Sequence, residues 1–516
     1  MKYMFSNLYN LIAYQAKKRK NKVALLVDNE KIRYYDILEF SDKLAAYLSE
    51  KGVKEGDKVA LFLRNSPEFI YSIFAVAKLG AILVPVNTFL KEEELTYILE
   101  DSGSCFLIGS SIHKKVINSS RAAELCKSIL WEGEEVSESG KDLYFADVSR
   151  CNMQVTPVEK GLDDTAVLIY TSGTTGKPKG AMLSNKNILS NADSGRRTIN
   201  VKAKDRAIVF LPMFHSFTFS IGVILPLYVG GSIVIIKSIQ PFSNIFKQTL
   251  TKRVTIFFGI PDVYNALAKV KLPWYFMWFN SIRAFISGAA ALQPKTLDAM
   301  AKRFKRATLL EGYGLSEASP AVCMNTFKKQ KAGSVGTALY GYEMKVVDEE
   351  MNEVPRGGIG DIIVTGDNVM KGYLGRPEAT AETIVNGWLL TGDVGYMDDE
   401  GFLFIVDRKK DLIISKGINV YPREIEEVID TFEGVGVSAV IGINDEKSGE
   451  VPIVYIELEE DRDTLDEAGL KKYMKEHLAN YKVPKQIHVI KELPKNATGK
   501  ILKRILKDNL QHESLD

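Results

Sequence analysis

The chain is expected to fold as an α/β protein: a large N-terminal domain of parallel-rich sheets flanked by helices, carrying a small β-rich subdomain, then a small mobile α+β C-terminal domain. Three observations predict this. A length of 516 residues exceeds what a single hydrophobic core supports. Strand-like and helix-like apolar periods alternate up to about Lys328. Beyond it the texture changes to glycine-punctuated strands such as Gly360–Thr365 and Gly401–Val406, until the five-charge run Asp407–Asp411 interrupts two apolar stretches. The expected division is therefore 1–406 for the N-terminal domain, 407–411 for a hinge and 412–516 for the C-terminal domain.

Taken in order, Leu8, Leu11 and Ile12 stand at helical spacing, and Lys17-Lys-Arg-Lys20 suits the last turn of that helix. Asp36, with Glu39 three residues on, resembles a capping box opening a helix that presents Phe40, Leu44 and Leu48. Lys58–Leu63 reads as a strand. Ser66-Pro67 reads as an N-cap with proline at the first helical position, turning Phe69, Ile70, Ile73 and Phe74 inward. Ala81–Pro85 is a further buried strand. Strands alternating with helices imply parallel sheets covered on both faces. The alternation resumes at Ala207–Pro212, Gly231–Lys237, Thr255–Gly259, Ile282–Ser287 and Thr308–Glu311. Several of these strands run into Gly, Ser or Pro loops, which in open α/β sheets converge on a ligand. The longest apolar run, Ile221–Ile236, is broken by two glycines, a proline and a further glycine. It is too short and interrupted to cross a bilayer and reads as a buried helix turning into a strand. In the C-terminal part a helix starts at Pro422, with Ile425, Val428 and Ile429 inward, and a strand covers Val451–Leu458.

A formal net charge of +2 gives no global field to recruit nucleic acid. Four cysteines without C-x-x-C spacing exclude a disulfide scaffold and a structural zinc site and fit a reducing cytoplasm. Five histidines include no pair spaced as metal ligands on a helix. The N-terminus lacks a secretory apolar region.

One stretch concentrates the chemistry. Thr171-Ser-Gly-Thr-Thr-Gly-Lys-Pro-Lys-Gly180 holds hydroxyls, glycines and two lysines and nothing large or apolar. Val167–Tyr170 leads into it as a strand, and Ser184–Ile188 after it looks like a helix cap. Inward backbone N–H groups, hydroxyl donors and point charges suit a polyphosphate. The spacing is not that of a P-loop, since Pro178 stands where the metal-binding hydroxyl would be.

With Tyr313-Gly-Leu-Ser-Glu317, Thr391-Gly-Asp393, Asp407-Arg-Lys-Lys410 and Pro494-Lys-Asn-Ala-Thr-Gly-Lys500, in that order along the chain, this stretch resembles the adenylate-forming (AMP-binding) superfamily. Gly417–Glu424 and Glu311–Pro320 most resemble its bacterial long-chain fatty acyl-CoA synthetases. The resemblance implies ATP and Mg2+ as cofactors, CoA as co-substrate and two half-reactions: a carboxylate attacks the α-phosphorus, then CoA displaces AMP. It implies that Thr171, Ser172, Gly173, Thr174, Thr175, Gly176, Lys177 and Lys179 hold the β- and γ-phosphates. Glu317, with Thr171, would hold the metal, and Ser316 would donate towards the α-phosphate. Asp393 would accept the ribose hydroxyls with Arg408 nearby. Tyr313 and Gly314 would pack on the adenine, against a backbone wall at Gly288 and Ala289. Lys500 would stabilise developing charge, and His215 would serve the acyl site without acting as a general base. Lys410 maps onto a hinge that swings the small domain between half-reactions. Ile414 stands where some relatives use a lysine in the second half-reaction; Lys416-Gly417 is the expected replacement face.

The acyl pocket is expected from Phe214–Gly230 and Phe257–Tyr264. Ser216–Gly230 contains no acidic residue to pair with an amino acid's ammonium group, and Phe217, Phe219, Ile221 and Val223 make it apolar. That favours fatty or aryl acids. The first expectation is a long-chain fatty acid-CoA ligase; the alternatives are a medium-chain or aryl acid ligase and, third, a catalytically silent acyl-adenylate-binding protein. The aromatic run Trp274–Phe279 reads as core packing or a subunit interface before a lipid-docking patch. A cytoplasmic enzyme of small-molecule substrates is expected, with loose peripheral membrane contact and a homodimer both left open.

Overall fold

A computed structural model describes residues 3–132, 142–148, 151, 153–171, 177–238, 240–288, 292–415, 418–445, 448–459, 462–496 and 499–513. Two α/β sheets form the body. The larger has nine strands, in the order Thr337–Ala338, Ala321–Met324, Thr308–Gly314, Ala284–Ser287, Ile256–Gly259, Arg206–Val209, Ser232–Ile235, Val23–Val27 and Glu30–Arg33. The six strands from Thr308–Gly314 to Val23–Val27 are parallel, and antiparallel neighbours close both edges. The second sheet has seven strands, parallel except for a final antiparallel pair, Thr165–Thr171 with Lys179–Ser184. Both sheets are thus parallel-rich, as expected, with antiparallel pairs at the edges, where strands need no helical crossover.

Central strands are apolar on both faces, as Ile256–Gly259 and Ala284–Ser287 are, because helices cover each side. The main apolar core joins the N-terminal helix Leu8–Lys18 to the helices Tyr34–Glu50, Pro67–Lys78 and Asn185–Thr198. Ser66 caps Pro67–Lys78 by accepting from the Phe69 amide. The preceding helix starts earlier than expected. It spans Tyr34–Glu50, so Asp36 lies inside the first turn and accepts from the Arg33 N–H instead of being the N-cap. Ile221–Ile236 becomes a π-helical turn, Thr218–Ile224, then the short helix Leu225–Val229 and a strand. Phe219, Ile221 and Val223 are sealed in the main core.

A five-stranded antiparallel sheet, Tyr342–Val347 to Leu403–Arg408, forms the β-rich subdomain. A fourth sheet draws only on strands between Ile413 and Ile490, and two apolar cores there contain no residue before Ile413. This is the two-domain α/β architecture expected. The five-charge run is partly strand: Asp407 and Arg408 finish Leu403–Arg408, and Lys409–Asp411 make one 3-10 turn. Asp407 ties the two parts together, its carboxylate accepting the Arg408 and Arg423 N–H groups at 2.7 and 2.8 Å.

Candidate functional site

The Thr171–Gly180 stretch follows the expected strand but is separated from the helix capped by Ser184 by a second strand, Lys179–Ser184. It links the antiparallel strands Thr165–Thr171 and Lys179–Ser184, with Thr171 paired to Lys179 and Tyr170 to Gly180. The helix begins only after Ser184, which caps it by accepting the Asn187 N–H. Ser172, Gly173, Thr174, Thr175 and Gly176 lie outside the described residues, so the structure assigns only the two arms of the hairpin.

Both arms are anchored. Tyr97 donates to the Pro178 carbonyl at 2.9 Å, while Asp101 accepts from Tyr170 at 2.8 Å and from Arg376 at 2.5 Å. Lys177 lies 5.1 Å above the Tyr97 ring and Lys179 lies 5.2 Å above that of Tyr373. Segment 372–374 docks along the second arm, the Met182 and Leu374 N–H groups bonding to the Gly372 and Gly180 carbonyls.

Glu317 stands beside this hairpin. Its Oε1 accepts the Thr171 hydroxyl at 3.3 Å and the Tyr373 hydroxyl at 2.9 Å. The expected pairing of Thr171 with Glu317 is therefore a contact, and Tyr373 is a partner that sequence reasoning missed. Among the described residues no group of three or more His, Cys, Asp or Glu gathers as a metal cage. A single carboxylate beside a hairpin carrying two lysines still fits Mg2+, which keeps waters and takes its remaining ligands from phosphates. Ser316, one residue earlier, shares a hydrogen bond with Ser216 at 2.9 Å.

Asp393 is almost fully buried, and the register of its strand places it opposite Arg408. Arg408 Nε lies 3.2 Å from Oδ1, and the Tyr313 hydroxyl donates to Oδ2 at 2.6 Å. Burial, followed by the neighbouring Asp393 charge, raises the Tyr313 phenol well above its ordinary pKa, so it acts as a donor. Tyr313 thus has a polar tie that a purely stacking role would not need. Gly314 is required by close approach: a Cβ there would come within 2.0 Å of the Pro320 carbonyl oxygen.

His215 accepts the Phe217 N–H at Nδ1, 3.3 Å away, which leaves the proton on Nε2. Burial depresses its pKa to about 4, so the ring is neutral. Phe217 packs edge-to-face on Phe258 at 6.1 Å and lies where a Cβ on Gly288 would meet it at 3.3 Å. Gly288 is thus in contact with the expected acyl wall, whereas Ala289 lies outside the described residues. Glu311, absent from the expected set, is buried and accepts the Leu292 N–H at 3.1 Å; burial pushes it up to about 7.

Lys500 arrives from the far end of the chain. Its turn is closed by the Asn496 side chain, which accepts the Lys500 N–H at 2.9 Å, and by Gly499 at φ 75°. A Cβ on Gly499 would lie 2.8 Å from Asp262 Oδ2 and 3.0 Å from Ile260 Cδ1, so the turn sits against the expected acyl segment. Burial, then the Arg408 cation, lowers the Lys500 ammonium to about 7, with Lys410 adding to the fall and Asp393 and Asp411 opposing it. Lys500, Asp393, Arg408 and Lys410 therefore share one electrostatic environment. Lys416 and Gly417 lie outside the described residues.

The AMP-binding enzyme family matches residues 12–374, and the AMP-binding enzyme C-terminal domain matches residues 424–500. A feruloyl-CoA synthase of Amycolatopsis is 34% identical over 475 residues, covering 92% of each chain. A long-chain-fatty-acid–CoA ligase of Salmonella typhimurium is 33% identical over 539 residues, covering 98% of this chain and 94% of the relative. Among solved structures, o-succinylbenzoate coenzyme A synthetase of Bacillus subtilis, in complex with ATP and magnesium ion, aligns with a TM-score of 0.84 at 29% identity. That alignment covers 97% of this chain and 99% of that one.

Proposed function

The chain belongs to the AMP-binding enzyme family, and on the premise of an adenylate-forming acyl-CoA ligase we propose that its acid is a long-chain fatty acid. The observation that carries this is the acid-free apolar segment Ser216–Gly230, whose Phe217 packs on Phe258 beside the segment on which the Lys500 turn rests, while Phe219, Ile221 and Val223 back it from the core. Ser216–Gly230 itself supplies no acidic side chain to pair with a buried ammonium group of a polar substrate. The similarity to a long-chain ligase over nearly the whole chain supports the same reading.

In this reading Lys177 and Lys179 grip the β- and γ-phosphates, with the anchored hairpin arms setting their reach. Mg2+, held by Glu317 beside the Thr171 hydroxyl, would supply charge neutralisation at the phosphate oxygens. The Ser316 hydroxyl donates to the α-phosphate. Asp393 has about four lone-pair positions, and Tyr313 and Arg408 use two, so ribose hydroxyls can be accepted beside them. Lys500 carries positive charge to the point where the carboxylate oxygen bonds to phosphorus and the bond to pyrophosphate breaks. Neutral His215 orients the acyl end and takes no proton. The thiol of CoA then bonds to the acyl carbon as AMP leaves, after rotation about Lys410.

Phe217 lying across Gly288 and against Phe258 favours a second reading, a medium-chain or aryl acid that stops at this ring. Pyrophosphate release from ATP, measured with palmitate, octanoate and benzoate side by side, decides between them. Palmitate is expected to give the highest kcat/KM. A preference for octanoate or benzoate overturns the long-chain reading, and no release with any of the three overturns carboxylate activation itself.

A further inference from the structure

The aromatic run Trp274–Phe279 forms a short helix whose rings, contrary to the core-packing expectation, face outward. Trp274 and Trp278 are each 71% exposed and Phe279 is 67% exposed; Phe276 alone of the aromatic rings is buried, where it meets Phe246. An isolated exposed aromatic is ordinary, but four on one short helix form a patch that water alone does not favour. Charge around it is as unusual. From Lys269 to Arg306 the sequence holds five lysines and three arginines against one acid, Asp298, in a chain whose net charge is only +2.

Some of these cations are used elsewhere: Lys269 pairs with Glu459, Arg283 with Asp205, and Lys295 bonds to the Asp430 carbonyl. Lys271, Lys302, Lys305 and Arg306 are exposed. Arg306 donates to the Met277 and Trp278 carbonyls, so the aromatic helix and the basic end of the helix Pro294–Arg303 are one surface. Rings with a polar edge, joined through Arg306 to the basic end of a neighbouring helix, match the headgroup zone of a membrane, where tryptophan and tyrosine settle and anionic lipid attracts basic residues. A second copy of the same surface would set like charges against each other.

We propose that this surface docks the protein on an anionic lipid bilayer, with Trp274, Trp278 and Phe279 entering the headgroup region and Lys271, Lys302 and Lys305 meeting lipid phosphates. The contact is peripheral, since no helix among the described residues is long and apolar enough to cross a membrane. Phe276 shares its apolar cluster with Phe257, Ile260 and Tyr264, so the docked face is the outer side of the expected acyl wall. The inference does not depend on chain-length preference.

The test is co-sedimentation of the full chain with vesicles of phosphatidylcholine alone or of phosphatidylcholine mixed with phosphatidylglycerol. Binding is expected to be about tenfold stronger to the anionic vesicles, to weaken with salt, and to shift tryptophan emission to the blue. The double variant Trp274→Ser/Trp278→Ser should lose the shift and most binding while keeping its rate with octanoate. Lys302→Glu/Lys305→Glu, which leaves every ring in place, should weaken binding to anionic vesicles only. No sedimentation with either vesicle, equal binding by all variants, or a homodimer that the tryptophan substitutions dissociate would each overturn the proposal, the last by giving the patch to a second copy.

Discussion

The two halves of the site are held in opposite ways. Around Glu317 the carboxylate already receives hydroxyls from Thr171 and Tyr373, and the hairpin arms are tied by Tyr97, Asp101 and Arg376. Around Lys500 a half-buried ammonium is influenced by two further cations, Arg408 and Lys410, with partial relief from Asp393 and Asp411. The first half is tied by hydrogen bonds; in the second, like charges are gathered around one lysine. A preorganised polar site stabilises charge without reorganising, whereas a cation crowded by like charges gains most from a nearby anion. The chemistry should therefore be more sensitive to Lys500 than to any single residue of the anchored half.

The largest effect follows directly. Lys500→Ala is expected to cost roughly 3–4 kcal/mol of transition-state stabilisation, or two to three decades in acyl-AMP formation. Thioester formation from supplied acyl-AMP should be little changed, because that step is proposed to follow departure of the Lys500 turn. Stopped measurement of both half-reactions checks it; adenylation at full rate removes Lys500 from the mechanism. The next effect tests the swing. Lys410→Pro fixes one backbone angle at the proposed hinge and should spare adenylation while slowing CoA transfer by about tenfold or more. Equal rates in both steps would mean that the two halves do not exchange places about this residue.

The sequence made one of these halves far easier to read than the other. Thr171, Glu317, Asp393 and Lys500 stand out because each lies in a short stretch of unusual composition that resembles a family pattern. Tyr373 and Arg376 do not, since a tyrosine and an arginine gain their meaning only from Glu317 and from Asp101, the latter 275 residues away. The strand and the Ser184 cap flanking the stretch are legible, whereas the second arm of the hairpin is not, for a local reason. Lys179–Ser184 is an edge strand with a lysine, a glycine and a serine in six residues, weak β-formers that pairing with Thr165–Thr171 overrides. Likewise the exposed ring run at Trp274–Phe279 reads as core by composition, and only packing reveals which side faces water.

Glu311 places a second group with a burial-shifted pKa in the body of the protein. Its carboxyl is pushed up to about 7 from 4.5 by burial, despite the Leu292 N–H and the Arg423 charge. A raised carboxyl pKa means the folded state keeps a proton that the unfolded chain releases, so stability declines as pH rises from about 4.5 through about 7. Glu311→Gln retains the acceptor for Leu292 and cannot ionise. It should be near neutral at pH 5 and stabilising by about 1–3 kcal/mol at pH 8, read by denaturant titration at both values. An equal effect at both pH values would show that Glu311 is ionised throughout and that burial is not the dominant cause.

The smallest effect separates the two halves most cleanly. Lys500 is held near 7, so at pH 8 the free enzyme carries it mainly neutral. A triphosphate placed beside it supplies the missing anion and raises its pKa towards the ordinary lysine value. Binding a non-hydrolysable ATP analogue with Mg2+ at pH 8 should therefore take up a proton, approaching but not exceeding one per site. Titration calorimetry in two buffers of different ionisation enthalpy reads that number. At pH 6 the ammonium is already charged and the uptake should vanish, and in Lys500→Ala it should be absent at both values. The Glu317 half predicts no such exchange, because its hydroxyl donors keep their protons across this range. An uptake that persisted in Lys500→Ala would assign the proton to another group. No uptake in the native chain would mean that Lys500 is in solvent until ATP binds, and that the arrangement around Asp393 and Arg408 belongs to the bound state.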